Sequence, residues 1–289
     1  MKELESFLKL QSSEVTKHDY RISISQFLDY ENIKELEDLL KLDIDDYINY
    51  KDYLITEKGN SQSTVNTKFR AISSFLTYLR DERGIVLQNY ACSVAKRLKP
   101  QPKKGTSLTS QEATRLLNVC KNPREYAMMM VLLNNGLRVS ELINLKLDDY
   151  DYEQKTISII RKGGLKKEIP ISTEVNFAIQ GYLKTRKDTT LPELFVSNGG
   201  NRMSVYSINR TIKKLSKRAN IETNISAHSL RRTLATDLHR SGYDIKEIKD
   251  VLGHKSINTT AIYIRDEEDT IKRVVKEHSF LPDGGKYVR

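Results

Sequence analysis

The sequence predicts a mainly α fold with a small antiparallel β-sheet, divided into two domains. Three observations predict it. Apolar residues recur at three- and four-residue steps along most of the chain, the period of helices that bury one face. That period switches at residues 156–171, where two β-rich runs flank Gly163-Gly164. The stretch KRLKPQPKKGTS at 96–107 holds two prolines, one glycine and five basic residues, a linker composition. The expected division is a helical domain over residues 1–97, a basic linker over 98–107 and a second domain over 108–289.

The first domain reads as short amphipathic helices. The clearest spans about Ser63 to Arg83, with Val65, Phe69, Ile72, Phe75, Leu76 and Leu79 on one stripe. Ser63 or Thr64 is the expected N-cap and Gly84 the expected stop. Residues 29–52 carry nine Asp/Glu against three Lys, a solvated acidic surface expected to face away from any polyanion.

The second domain opens on Thr109-Ser110-Gln111-Glu112, a capping box in which hydroxyl and carboxylate each satisfy an orphan amide. Helices follow to about Val119 and over about 123–134. Thr156 to Ile160 and Lys167 to Ile171 then form a hairpin around the glycine pair. Further helices are expected near 173–185, 204–219, 229–241, 244–252 and 256–277, the last with a break.

The chain has 289 residues and a net charge of +10. Residues 1–100 hold 15 Lys+Arg and 16 Asp+Glu, so the basic excess lies in the rest. A long basic surface suits a polyanion, and nucleic acid is the usual one. Apolar runs such as Met128 to Leu133 fall far short of the roughly 20 residues a membrane span takes. The acidic-polar start carries no signal-peptide core. A cytoplasmic protein with no membrane partner is expected. Cys92 and Cys120 make no disulfide framework, and the five histidines show no metal spacing, so neither metal nor other cofactor is expected.

Metal-free cleavage of a phosphodiester requires fixed cations for the non-bridging oxygens, a general acid for the leaving oxygen and an activated nucleophile. Arginine serves the first need best, with a planar donor fork and a charge that does not titrate. Candidates for each role occur. Arg138, in NNGLRVSEL, follows a helix stop at Gly136 and stands at a helix-to-helix corner; the plainer reading pairs it with Glu141 on the surface. Lys162 lies in the hairpin turn, with Lys166 and Lys167 as close competitors. His228 and Arg231, in HSLRR, share one face at a helix start, while Arg232 points elsewhere, toward a phosphate or an acid. Cationic side chains at a helix N-terminus oppose its dipole, a conflict that a bound anion removes. His254 follows Gly253 at a turn, and Tyr263, one of 15 tyrosines, comes nine residues later.

Each signal is weak alone, but their order resembles the tyrosine recombinases, the lambda-integrase family. The matching series is an arginine in a G-L-R-x-S-E-L box, a hairpin lysine, an H-x-L-R box, an L-G-H box and a tyrosine nine residues beyond. The likeness covers the whole chain, with STVNTKFRAISSFLTYL typical of the helical core-type DNA-binding domain. Arg232 departs from the histidine many members carry. The chain offers no room for the arm-binding domain of larger phage integrases, which favours the simple Xer-like or transposon and plasmid resolvase type.

The resemblance implies two domains forming a clamp around DNA. It makes Tyr263 the nucleophile and Lys162 the general acid. Arg138, Arg231 and His254 would be the phosphate ligands, His228 the proton acceptor and Glu141 a support behind them. The partners implied are double-stranded DNA with a specific inverted-repeat core site and further copies of the chain as a tetramer on two duplexes. Accessory DNA-binding proteins are also admitted. The reaction would be strand exchange through a Holliday junction for integration, excision or resolution. Two rival readings are a type IB topoisomerase-like relaxer and a catalytically idle DNA-binding regulator.

Overall fold

In a computed structural model of the chain, residues 2–97, 105–160, 166–253 and 260 are described. The contacts divide it into two compact units, Met1–Lys103 and Lys104–Arg289.

The first unit is helical: α1 (Lys2–Lys9), α2 (Glu14–Tyr30), α3 (Leu36–Lys41), α4 (Ile44–Thr56), α5 (Gln62–Arg83) and α6 (Tyr90–Arg97). All six apolar residues of the expected α5 stripe are buried, and α5 packs on α2, α4 and α6. The helix starts earlier than expected. Its N-cap is Ser61, whose hydroxyl accepts from the Thr64 amide, rather than Ser63 or Thr64. It ends at Gly84 as read. The core beneath is aromatic, with Phe27 tilted against Tyr47 and edge-on to Tyr50, and Tyr50 tilted against Phe69.

The acidic stretch proves to be more than a solvated surface. Asp38, Asp43 and Asp46 cap the starts of α3 and α4, while Leu39, Tyr47 and Tyr50 fill the core. Glu31, at the end of α2, is pushed up to about 7, first by burial and then by the Asp46 charge.

The second unit contains α7 (Ser110–Asn118), α8 (Pro123–Asn135), α9 (Val139–Asn144), a 3-10 turn (Leu147–Asp149), β1 (Tyr150–Asp151), β2 (Thr156–Ile160) and β3 (Lys166–Pro170). It continues with α10 (Thr173–Leu183), α11 (Val205–Arg218), α12 (Ala227–Arg240) and α13 (Ile245–Leu252). The Thr109–Glu112 capping box forms as read. The strands make one antiparallel sheet in the order β1-β2-β3, with Ile157 opposite Ile169 and Ile160 opposite Lys166. The two-residue β1 is an addition to the expected hairpin; a pairing so short leaves no alternation to read.

Helix α8 is the axis of this unit. Ala127, Met128, Met129, Val131 and Leu132 are fully buried, because α7, α10 and α12 cover different faces of it. Leu252 and Ile248 of α13 pack with Ala235 of α12 in a smaller cluster. The helix expected over 256–277 lies outside the described residues apart from Thr260, which is fully buried.

Candidate active site

Arg138 stands at the corner between α8 and α9. The corner is sharp because Gly136 ends α8 in the left-handed region, at φ 58°. A Cβ on Gly136 would come within 2.8 Å of Leu252 Cδ2 and 2.9 Å of Leu234 Cδ2. Both the backbone angle and the space therefore demand glycine. Two residues on, Arg138 is the N-cap of α9. Its amide donates to Glu141 Oε2 and its Nη1 to Glu141 Oε1, both at 2.7 Å. The Glu141 side chain is 5% exposed and that of Arg138 42%. The corner and the plainer pairing with Glu141 are thus both realised: one buried carboxylate holds backbone and guanidinium while much of the side chain stays open to solvent.

Arg231 has opposite surroundings. It lies in the second turn of α12 and is only 3% exposed. Its Nη1 donates to the carbonyl of Gly136, and its Nη2 to the carbonyl of Leu252 at 2.6 Å. These carbonyls belong to the C-terminal ends of α8 and α13, where oxygens lack intrahelical partners and the helix dipole is negative. The guanidinium joins the two helix ends.

His228 precedes Arg231 by one turn, on the same face. Its surface is open, yet enough protein surrounds the ring to hold its pKa below the usual histidine value. Burial is the main cause, followed by the charges of Arg231, Arg232 and Arg138. The fields of Arg138 and Arg231 therefore meet at His228, although 93 residues separate the two arginines' segments from sharing any local pattern. Arg232, expected to point away from that face, turns inward. It is 5% exposed, and its guanidinium lies against Gly105.

The two competitors of Lys162 are engaged at the base of the hairpin. Lys166 Nζ pairs with Asp149 at 3.1 Å, and Lys167 Nζ donates to the Asp250 carbonyl at 3.4 Å. Lys162, His254 and Tyr263 lie outside the described residues. Among the described residues, no group of three or more His, Cys, Asp or Glu is placed to hold a metal ion, and no helix is long and apolar enough to cross a membrane.

Residues 106–269, more than half of the chain, match the phage integrase family. The chain belongs to that family. Tyrosine recombinase XerA from Pyrococcus horikoshii is 33% identical over 232 residues, which cover 78% of each protein. Tyrosine recombinase XerC from Caldanaerobacter subterraneus is 32% identical over 245 residues, covering 82% of this chain and 69% of that one. A crystal structure of XerA recombinase superimposes with a TM-score of 0.58 at 28% identity, over 97% of this chain and all of the other. The Tn1549 transposon integrase, solved in complex with a circular intermediate DNA, shares the fold at a TM-score of 0.73 and 20% identity, covering 96% and 98%. This integrase-family chain is thus a tyrosine recombinase, an enzyme of site-specific recombination.

Sequence reasoning missed the way this recombinase holds Arg231. Its partners are main-chain oxygens of Gly136 and Leu252, and a carbonyl carries no residue-type signal. Gly136 was legible only as a helix stop. The contact between Gly105 and Arg232 was missed for the same kind of reason: a glycine in a linker-like run reads as looseness.

Proposed function

We propose that this recombinase cuts and rejoins double-stranded DNA at a specific inverted-repeat core site, with the second unit carrying the chemistry and the first gripping the DNA. Tyr263 Oη attacks the scissile phosphorus, and the bond to the 5′-oxygen breaks. The product is a 3′-phosphotyrosyl link and a free 5′-hydroxyl. Lys162 supplies the proton to that oxygen, and His228 accepts the phenol proton. Arg138, Arg231 and His254 hold the non-bridging oxygens as their charge grows, and Glu141 keeps Arg138 in place. A 5′-hydroxyl from a partner duplex then attacks the phosphotyrosine. Each strand is rejoined without ATP, because the ester conserves the bond energy. Two duplexes present four strands, one for each subunit of a tetramer, and exchange passes through a Holliday junction.

One observation carries this reading most directly: His228 lies on the same face of α12 as Arg231, with its pKa lowered first by burial and then by the charges of Arg231, Arg232 and Arg138. Those charges favour an anion beside the histidine, and together with burial they favour the neutral imidazole, the form able to accept a proton. The test uses duplex DNA carrying a nick beside the cleavage point, so that a short 5′-hydroxyl fragment diffuses away and traps the covalent intermediate. The wild-type protein is expected to become joined to labelled DNA. Tyr263→Phe, which loses only the attacking oxygen, is expected to bind the site and form no adduct. An adduct that persists in Tyr263→Phe removes the assignment. Recombinant product from two duplexes separates exchange from mere relaxation of one.

A further inference from the structure

The last residues of the run that reads as linker, from Gly105, are fastened to α12, the helix that bears His228 and Arg231. Thr106 Oγ1 donates to the Asn224 carbonyl at 3.3 Å, just before α12, and lies 3.0 Å from Ser229 Oγ, in its first turn. The Leu108 amide donates to Thr233 Oγ1 at 2.8 Å, one turn further along. Leu108 and Thr233 are buried, so the bond between them is shielded from competing water, while the Thr106–Ser229 contact is half-buried and the Thr106–Asn224 bond is exposed.

Gly105 makes the tightest approach. A Cβ built on it would overlap Arg232 Nη1 and stand 2.7 Å from Arg232 Cζ. The Gly105 backbone is not in the left-handed region, so alanine meets no conformational strain there; the obstacle is room alone. The atoms in the way are the far end of a long side chain. An added methyl therefore displaces the Arg232 guanidinium before it moves any backbone. Arg232 follows Arg231 directly, and its charge is one of those acting on His228, with Arg231 on the same helix and Arg138 at the start of α9.

We propose that Gly105 and Thr106 are positioning residues for the reaction: the segment 105–108 is a strap that sets the first two turns of α12 and the place of the Arg232 charge beside His228. The inference rests on the reading of His228 and Arg231 as residues that act at the phosphate. On that reading, the segment 105–108 ends directly on the catalytic helix. A pull or a turn in the strap is felt at His228 and Arg231 without passing through the core around α8.

The experiment measures single-turnover cleavage of the nicked site across pH, with DNA affinity and a melting curve beside it, for the full chain and for Gly105→Ala, Thr106→Val and Thr106→Ser. Gly105→Ala is expected to slow cleavage about tenfold, short of the roughly 100-fold that a full 1 Å misplacement can cost, with affinity changed less than about twofold, since phosphate contacts elsewhere are untouched. Its acid limb is expected to move to higher pH, because a displaced Arg232 charge no longer holds His228 down. Thr106→Val is expected to slow cleavage similarly, and Thr106→Ser, which keeps the hydroxyl, to restore it. Wild-type rates in both Gly105→Ala and Thr106→Val overturn the proposal. So does a slower rate with an unmoved acid limb in Gly105→Ala, which would mark simple loosening. If Gly105→Ala melts near the assay temperature, the valine and serine pair decides: loss with rescue supports the strap, and loss without rescue overturns it. A wild-type chain that forms no adduct overturns the underlying reading instead, a different result from adduct formation that the strap variants leave unchanged.

Discussion

The α8–α9 corner and the start of α12 each present one arginine to the same histidine, and they hold it by opposite means. Arg138 is gripped by charge: a buried carboxylate takes its amide and its guanidinium, and the side chain stays 42% exposed. Arg231 is gripped by main-chain carbonyls at two helix ends and is 3% exposed. The first can shift its outer side chain toward a ligand at small cost to the fold. The second is a structural joint between α8, α12 and α13 as well as a cation. Position on the surface or in the interior thus separates two residues that the sequence presents as equals.

Replacing each arginine by lysine tests that contrast most severely. Arg138→Lys and Arg231→Lys are each expected to lower the cleavage rate roughly 100- to 1,000-fold, the usual loss for one preorganised donor, because a point charge does not reproduce a planar fork. Only Arg231→Lys is expected to lower stability as well, by about 1–3 kcal/mol, since one ammonium does not span two buried carbonyls and leaves one unpaired. Denaturant melts of both variants check this. Equal stability losses would break the distinction.

Gly136→Ala addresses the joint itself. The φ of 58° and the contacts with Leu252 and Leu234 oppose a methyl there. A loss of about 1–3 kcal/mol is expected, with cleavage reduced at temperatures where the protein is still folded, because the Gly136 carbonyl that Arg231 uses must move. Retained cleavage in a destabilised protein would show that Arg231 tolerates the shift.

The two regions also meet in the titration of His228. Its folded pKa lies below the ordinary value of about 6.5, so the unfolded chain takes up the proton first as pH falls. Stability from this group is then complete above about 6.5 and falls as pH drops from there to the folded pKa. His228→Gln is expected to flatten the fall in melting temperature between about pH 7 and pH 5. An unchanged slope would mean that neither burial nor the arginine charges lower the pKa of the ring.

The smallest effect is expected far from the joint, at Glu31, where burial is again the first cause but the sign is reversed. Its pKa is raised from 4.5 to about 7, so the folded state holds the proton longer. The group's stabilisation is present below the unfolded value and is lost as pH rises through 7. Glu31→Gln is expected to leave the melting temperature unchanged near about pH 4 and to raise it slightly near about pH 8. Destabilisation at the higher pH would show that the carboxylate has a partner worth keeping.

Much of the fold was legible because it depends on local pattern. The α5 stripe, the Gly84 stop, the Thr109–Glu112 box and the 156–171 hairpin each follow from residue types a few positions apart, and each forms. The α5 cap was misplaced by two to three residues because Ser61, Ser63 and Thr64 are all competent caps, and packing of the stripe decides among them. The arginine and histidine boxes were legible by type and order, and through their likeness to a family.

What the sequence determined by itself is therefore the list of parts: helices, one small sheet, a basic second unit and the residues proposed for metal-free phosphate chemistry. Tertiary structure alone decided how those parts are held. It made Arg231 a buried joint and Arg138 an open one, turned Arg232 inward onto Gly105, and fastened Thr106 and Leu108 to α12. The physical reason is that these decisions rest on carbonyl oxygens, amides and room for a methyl group. Main-chain atoms are identical at almost every position, so only the fold distinguishes the Gly136 and Leu252 carbonyls from all the others.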